Sequence, residues 1–236
     1  MVFSGFWESI VSALSYGRAE MLLRGLLVTI QISAGAIFLG LIIGSIISVC
    51  KLSRFKLSRA IAFVYLAVIR GTPVVTQLLI ISFVLFAGWR GNRIWIAIVA
   101  LGINSGAYVA EIIRAGILSI DKGQTEAGQS LGLNKAQTMI FVVMPQALKN
   151  ILPTMVNEFI ILIKETAIVG FVAVSDLTRV AQQAMSRTMD ITPLLIAAVM
   201  YLTMIGILTT AMGLLEKKLR AGDAPSHSRE KARTWG

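Results

Sequence analysis

The sequence is poor in the residues on which most catalytic chemistry depends. It contains one cysteine, Cys50, and one histidine, His227. A lone cysteine forms no internal disulfide, and a lone histidine without a second ligand builds neither a zinc cluster nor a thiolate–imidazole pair. No lysine is followed by serine or threonine, so the end of a P-loop, where a hydroxyl follows the phosphate-binding lysine, is missing. Charge is scarce as well: 14% of the 236 residues are Asp, Glu, Lys or Arg, against roughly a quarter in soluble domains. Redox, zinc and nucleotide-hydrolysing roles are thereby excluded for the chain itself.

Hydrophobic residues take up that space, at 56% of the chain with a mean hydropathy of +0.78. Residues 25–50 and 191–215 contain no Asp, Glu, Lys or Arg, and about 20 apolar residues suffice to cross a bilayer. Lipid is therefore the expected solvent. The first twenty residues show no basic region before an apolar run and no small-residue cleavage site, so no cleaved secretory signal is expected and the first span directs insertion. Length and hydropathy place five spans at about 22–50, 60–87, 94–114, 150–174 and 191–215.

Basic residues are unevenly shared between the two sides. The loop 51–59 (Lys51, Arg54, Lys56, Arg59), the segment 114–149 (Arg114, Lys122, Lys135, Lys149) and the tail from Lys217 onward hold most of them. The opposite side has Arg18, Arg24, Arg90, Arg93, Arg179 and Arg187. The positive-inside bias then puts residues 1–21 outside and the C-terminal tail 219–236 in the cytoplasm, with the membrane domain covering 22–218. From Ala221 onward the polar, charge-alternating tail is expected to be disordered. The net charge of +10 borders spans instead of forming an aromatic-laced face, so nucleic acid is not an expected partner. Gly40, Gly44 and Ser48, and Gly102 and Gly106, recur every four residues, a spacing that lets helix backbones approach closely in lipid.

Between the third and fourth spans lies a polar stretch too long for a turn. Asp121 with Gln124 has the spacing of a capping box, Gly132 that of a helix stop, and Asn134 with Gln137 that of a second box. A short cytoplasmic helix over about 122–132 is expected, which by its caps alone is a solvated connector as readily as a docking element. Its residues narrow the choice. Glu126-Ala127-Gly128, three residues, Gly132, nine residues, Val142, one residue, Met144-Pro145 resembles the EAA motif of ABC-importer permeases. Gly128, Val142 and Met144 depart from it by small or apolar exchanges.

Further segments resemble the polar-amino-acid branch, the histidine/glutamine/arginine permease family. They are Arg70-Gly71-Thr72-Pro73 with Gln77, Asn104-Ser105-Gly106-Ala107-Tyr108, Glu111-Ile112-Ile113-Arg114, Pro145-Gln146-Ala147-Leu148, Asn157-Glu158 and Lys164-Glu165-Thr166. Where the family has serine after that threonine, this chain has Ala167. The resemblance covers about residues 20–220. It implies an all-α membrane bundle of the five-span, type I importer kind with a cytoplasmic coupling helix. It also implies a second permease subunit, two ATPase subunits that bind ATP and magnesium, a substrate-binding protein and a polar amino acid as cargo. No cofactor is expected in the chain itself. Coupling to the ATPase would fall to Glu126, Ala127, Gly128 and Gly132.

Ionisable groups within spans cost roughly 2.5–3.5 kcal/mol each on insertion scales, so Arg70, Glu111, Glu158, Lys164 and Glu165 need partners or a wet path. Glu111 and Arg114 are spaced for an interfacial ion pair. Arg70 is open to two readings, pairing with a carboxylate or marking the helix break at Pro73. An amino-acid zwitterion requires a cation, an acceptor and neutral hydrogen-bonding groups. The resemblance assigns these roles to Asn104, Glu158, Lys164 and Thr166, and to Gln77 and Thr72. Interhelical bonding is the competing account of the same residues. Pro73 and Pro153 are candidate helix breaks. An ion-coupled carrier built on Glu158 and Lys164 is the alternative from another class, whereas clustered His, Cys or paired carboxylates for a membrane enzyme are missing.

Overall fold

A computed structural model of the chain describes residues 17–221, and every regular element among them is helical. Most of the expected outer segment 1–21 and nearly all of the tail 219–236 lie outside the described residues. The charge-free first run forms α1, Arg18–Leu52, of 35 residues. It is followed by α2 (Lys56–Gly71), α3 (Val74–Ile80) with a π-helical turn at Ile81–Leu85, and α4 (Ile94–Leu118). The cytoplasmic segment supplies α5 (Lys122–Ser130) and α6 (Lys135–Thr138), and a second π-helical turn, Met139–Val143, leads into α7 (Met144–Glu165). A 3-10 stretch (Thr166–Val172), α8 (Leu177–Thr188) and α9 (Thr192–Ala221) complete the order.

Three of these helices are long and apolar enough to cross a membrane: Ala19–Leu52, Ile94–Leu118 and Thr192–Lys218. The bent pair Lys56–Gly71 and Val74–Leu85 passes the same test only when taken together; α7, whose 22 residues reach about 33 Å at 1.5 Å per residue, is long enough to cross but not apolar enough. Its composition falls short of the apolar standard because it carries Lys149, Glu158, Lys164 and Glu165.

The predicted second span, 60–87, is not one helix. Lys56–Gly71 and Val74–Leu85 meet at 106°. The cause is local: Pro73 has no N–H to continue the ladder and forces the residue before it out of helical geometry, and Thr72 is accordingly extended at φ −122°, ψ 148°. Pro153, the other candidate break, does not interrupt the fourth span, since it lies inside the continuous α7. There the residue before it, Leu152, keeps helical geometry, and packed neighbours make one missing backbone bond tolerable in a membrane helix.

The core forms where α1 crosses α4. Ile32, Ala36, Ala97, Ala100 and Leu101 are fully or almost fully buried there, joined by Leu78 of α3 and Leu162 of α7. The glycine spacing read from the sequence lies in this seam. A Cβ on Gly40 would sit 3.1 Å from Ser105 Cβ; one on Gly44, 2.7 Å from Val109 Cβ and 2.9 Å from the Ala110 amide nitrogen; one on Gly102, 2.9 Å from Leu39 Cβ; and one on Gly106, 2.9 Å from Ile43 Cβ. Each helix thus presents its glycines to side chains of the other, and the close approach maximises dispersion contact where lipid offers no hydrophobic drive. Gly206 on α9, by contrast, has nothing within 4 Å.

Replacing Gly44 by alanine is expected to lower stability by about 1–3 kcal/mol, the usual cost of overpacking, measured by equilibrium unfolding in mixed micelles. Gly206→Ala, which meets no neighbour, should leave the transition unmoved.

Candidate functional site

The break at Thr72-Pro73 leaves the last carbonyls of α2 without helical donors, and Gln77 reaches back to them. Its Nε2 lies 2.7 Å from the Ile69 carbonyl, 3.1 Å from the Thr72 carbonyl and 2.7 Å from Thr72 Oγ1. The Thr72 hydroxyl in turn donates to the Val68 carbonyl at 2.8 Å. Asn104 on α4 donates from Nδ2 to Gln77 Oε1 at 2.9 Å. Asn104, Gln77 and Thr72 therefore form one connected network that ties the bent pair to α4, with Asn104 3% and Gln77 8% exposed.

One residue further along α4, the Ser105 hydroxyl donates to Glu158 Oε1 at 2.9 Å. Glu158 is 6% exposed, and its bond is to a neutral hydroxyl, with no cation paired to it among the described residues. It forms part of the wall of a cavity of about 480 Å³, together with Arg70, Tyr108, Glu111, Asn150 and Thr154. That volume falls within the range of small-molecule sites.

Lys164 and Thr166 lie elsewhere. Lys164 is exposed in the single chain, as is Asn157 on the same face, and the cavity wall includes neither. Thr166 is fully buried and donates to the Ile163 carbonyl at 2.8 Å.

Arg70 makes no ion pair among the described residues; its guanidinium carbon lies over the Tyr108 ring, 5.6 Å from the centroid. Glu111 does pair with Arg114, accepting from Nε at 2.9 Å and Nη2 at 2.7 Å. Its other oxygen accepts from the Lys51 ammonium, which joins the C-terminal ends of α1 and α4.

The cytoplasmic segment is a compact helical hairpin. Asp121 caps α5 by accepting from the Gly123 amide at 2.7 Å. The reciprocal half of the box expected from Gln124 is not made, because the Gln124 side chain is engaged across the hairpin, accepting from Gln146 Nε2 at 3.1 Å. Gly132 ends α5 as anticipated. At φ +85° it adopts the left-handed conformation that glycine tolerates, and the Leu133 amide donates to the Gly128 carbonyl at 3.1 Å while the Gly132 amide donates to the Gln129 carbonyl at 3.0 Å. This pair of bonds is a Schellman motif. The second box is complete, with Asn134 Oδ1 accepting from the Gln137 amide at 3.0 Å and Gln137 Oε1 from the Asn134 amide at 2.9 Å.

Glu126 and Ala127 are exposed on α5, while Gly128 is buried against α6. A Cβ on Gly128 would lie 2.8 Å from Thr138 Cγ2, and Thr138 is itself buried and bonded to the Asn134 carbonyl at 3.0 Å. The glycine that replaces the motif's second alanine thus accommodates the hairpin's own packing.

Residues 36–221 match the family of binding-protein-dependent transport system inner membrane components. The chain belongs to this family. Over 209 residues it is 44% identical to the arginine transport system permease protein ArtQ of Bacillus subtilis (strain 168), covering 87% of this chain and 95% of ArtQ. The glutamine transport system permease protein GlnP of Escherichia coli (strain K12) is 35% identical over 220 residues, 91% of this chain and 97% of GlnP. Among solved structures, a crystal structure of an amino acid ABC transporter with histidines superposes with a TM-score of 0.82 at 40% identity, over 89% of this chain and 98% of that one. An inward-facing MetNI methionine ABC transporter shares the fold, with a TM-score of 0.77 at 21% identity over 87% and 99%. The permease is a membrane-embedded transport subunit and not an enzyme; ATP hydrolysis belongs to a separate subunit of the ABC assembly in which it works.

Four contributions of this permease's side chains escape a reading by motif. Ser105 and Tyr108 stand inside a recognised segment, yet only the rotation of α4 shows that they face Glu158 and Arg70. Lys51 joins Glu111 across 60 positions of sequence, beyond any local spacing rule. The fourth is a polar cluster around Asp176, which is fully buried and caps α8 by accepting from the Arg179 amide at 2.9 Å and the Thr178 amide at 3.1 Å. Tyr201 donates to the same carboxylate at 3.3 Å. Burial pushes the Asp176 carboxyl above its usual range, opposed by those amides. Asp immediately before a helical run is an N-cap signal, and that much was available in the sequence.

Gly128→Ala is expected to cost about 1–3 kcal/mol of local stability through the contact with Thr138. Faster hydrogen exchange at the Leu133 amide would report it, and Thr138→Ser, which deletes the obstructing methyl, should restore protection.

Proposed function

We propose that this permease pairs with a second permease subunit, identical or paralogous, to import a polar amino acid across the bacterial inner membrane. Two ATPase subunits bind ATP and magnesium and drive the cycle, and a substrate-binding protein delivers the cargo from outside. The permease holds no cofactor in this reading. Its N-terminus faces outward and its C-terminus the cytoplasm, as the distribution of basic residues requires. The names of relatives at 35–44% identity, for arginine and glutamine, support an amino acid as cargo.

The observation that carries the proposal is Glu158, a carboxylate buried at membrane depth whose bond is to a hydroxyl and which borders a cavity. Such a group is expensive to retain without use. Here it receives the substrate's ammonium, with Asn104, Gln77 and Thr72 as the neutral polar network behind it. Lys164, at the outer end of α7, meets the substrate earlier on its path, where its exposed ammonium attracts the carboxylate, while buried Thr166 shapes the end of that helix through its bond to the Ile163 carbonyl. At the other end of the bundle, exposed Glu126 and Ala127 dock on the ATPase, while Gly128 and Gly132 give the docking hairpin its tight shape. From Lys135 to Glu165 the chain is helical without interruption apart from one π-turn. Movement of the hairpin is thereby transmitted along α7 to Glu158, a rigid-element displacement of the kind that carries switching motions.

Glu126→Lys is expected to abolish uptake and binding-protein-stimulated ATP hydrolysis in proteoliposomes while membrane insertion is retained. Lys164→Ala and Glu158→Gln should each reduce uptake in assembled complexes. Transport that persists without any ATPase subunit, driven by an ion gradient, would overturn the importer reading in favour of a stand-alone carrier.

A further inference from the structure

Arg70 is the unexplained charge in this membrane domain. It stands at the C-terminal end of α2, one residue before Gly71 and directly ahead of the bend. Arg70 is exposed in the single chain; a guanidinium at membrane depth ordinarily pairs with a carboxylate or a carbonyl, yet among the described residues Arg70 makes neither an ion pair nor a hydrogen bond. Its guanidinium lies instead over the face of Tyr108. That contact orients the plane of the guanidinium and leaves its N–H edge unused.

The wall in which it stands gives that edge a purpose. Arg70 and Tyr108 line the cavity that also holds Glu158, and the same two residues line a neighbouring cavity of about 480 Å³ whose wall includes Lys51. The Arg70–Tyr108 stack is therefore the partition between a compartment bearing the buried carboxylate and one bearing a second cation. The other carboxylate in that wall, Glu111, already accepts from Lys51 and Arg114, so it is not free to pair with Arg70.

Resting on the reading of Glu158 as the ammonium acceptor, we infer that Arg70 receives the substrate's α-carboxylate, so that the zwitterion is held between Arg70 and Glu158 in the first cavity. A planar fork matches a carboxylate through two parallel N–H···O bonds. Both ends of the substrate are then met by opposite charge, and neither is stranded in a medium of low dielectric. Lys164 lies outside this cavity and serves the outer path. In the inner compartment Arg70 is the cation that shares a wall with Glu158, and it makes the site selective for a free α-carboxylate.

The test is equilibrium binding to the purified, nucleotide-free complex of this chain with its partner permease and ATPase subunits, without the binding protein. The probes are L-arginine and L-glutamine, each compared with its α-carboxamide. Wild type should prefer at least one acid over its amide, and Arg70→Gln should weaken acid binding by about tenfold or more, as loss of a charged hydrogen bond implies. Amide affinity should stay the same, so the preference disappears. Undiminished acid affinity in Arg70→Gln, or an equal loss for acid and amide, overturns the assignment, since a helix-end charge or a packing role does not distinguish the two probes. Should that variant fail to assemble, Arg70→Lys carries the comparison: a reduced preference for the acid supports the inference and an unchanged one overturns it. Failure of the Glu158 reading shows separately, as absence of binding by wild type or an unaltered affinity in Glu158→Gln.

Discussion

The close approach of α1 and α4 is the constraint from which the rest of the bundle follows. Neither helix gains from leaving lipid, because the hydrocarbon is as apolar as their own side chains. Association has to come from contact, and contact depends on glycine. With Gly40 and Gly44 on one helix and Gly102 and Gly106 on the other, each backbone lies against the side chains opposite it. The rotation of α4 is set by this seam. Ile98, Ser105 and Val109 face α1, Ser105 also reaching from the seam to Glu158 of α7, while Asn104 and Tyr108 address α3 and α2.

Polar groups at membrane depth are arranged on that rotated helix in a graded way. Asn104 and Gln77 satisfy one another and the broken end of α2, so the bend at Pro73 is held by side-chain bonds where backbone bonds are lost. Glu158 has a single hydroxyl partner, and Arg70 an aromatic face. Closer to the cytoplasm, Glu111 is fully engaged by two cations. Of the charges that line the cavity, Glu158 and Arg70 are less fully paired than Glu111, while Lys164 and Glu165, outside its wall, make no ion pair among the described residues.

Mechanical continuity links this region to the cytoplasmic hairpin. The Schellman turn at Gly132 and the capping box of Asn134 and Gln137 satisfy the helix ends around a turn of a few residues. Gln146 bonds to Gln124, and Asn150 donates to Ser119 at 2.9 Å, so α7 is tied both to α5 and to the end of α4. The helix runs unbroken through Pro153, so the hairpin and Glu158 stand on one continuous element. Local irregularity is instead placed at two π-turns, a form often found at functional positions: Met139–Val143 beside the hairpin and Ile81–Leu85 beyond the bend.

Local chemistry alone determined a good deal of this protein. The membrane as solvent, the apolar spans, the glycine seam, the stop at Gly132, the box at Asn134 and the break at Pro73 each arise from residues a few positions apart, where sterics and hydrogen-bond reach leave little choice. The order of residues also carried the pairing of Glu111 with Arg114, three apart on one helix. Tertiary structure decided whatever depends on what stands opposite. Leu152 precedes a proline as Thr72 does, yet Leu152 stays helical because α7 is supported by neighbours, whereas the chain turns at Thr72. Gln124 has the spacing of a capping residue but bonds to Gln146, which packing brings within reach. Glu158 and Lys164 are six positions apart on one helix, and rotation sends one to the cavity and leaves the other exposed. Arg70 reads equally well as ion-pair partner or helix end, until the fold places Tyr108 beneath it and gives Glu111 to other cations. Spacing along a chain specifies which face a residue occupies, and only packing specifies what that face meets.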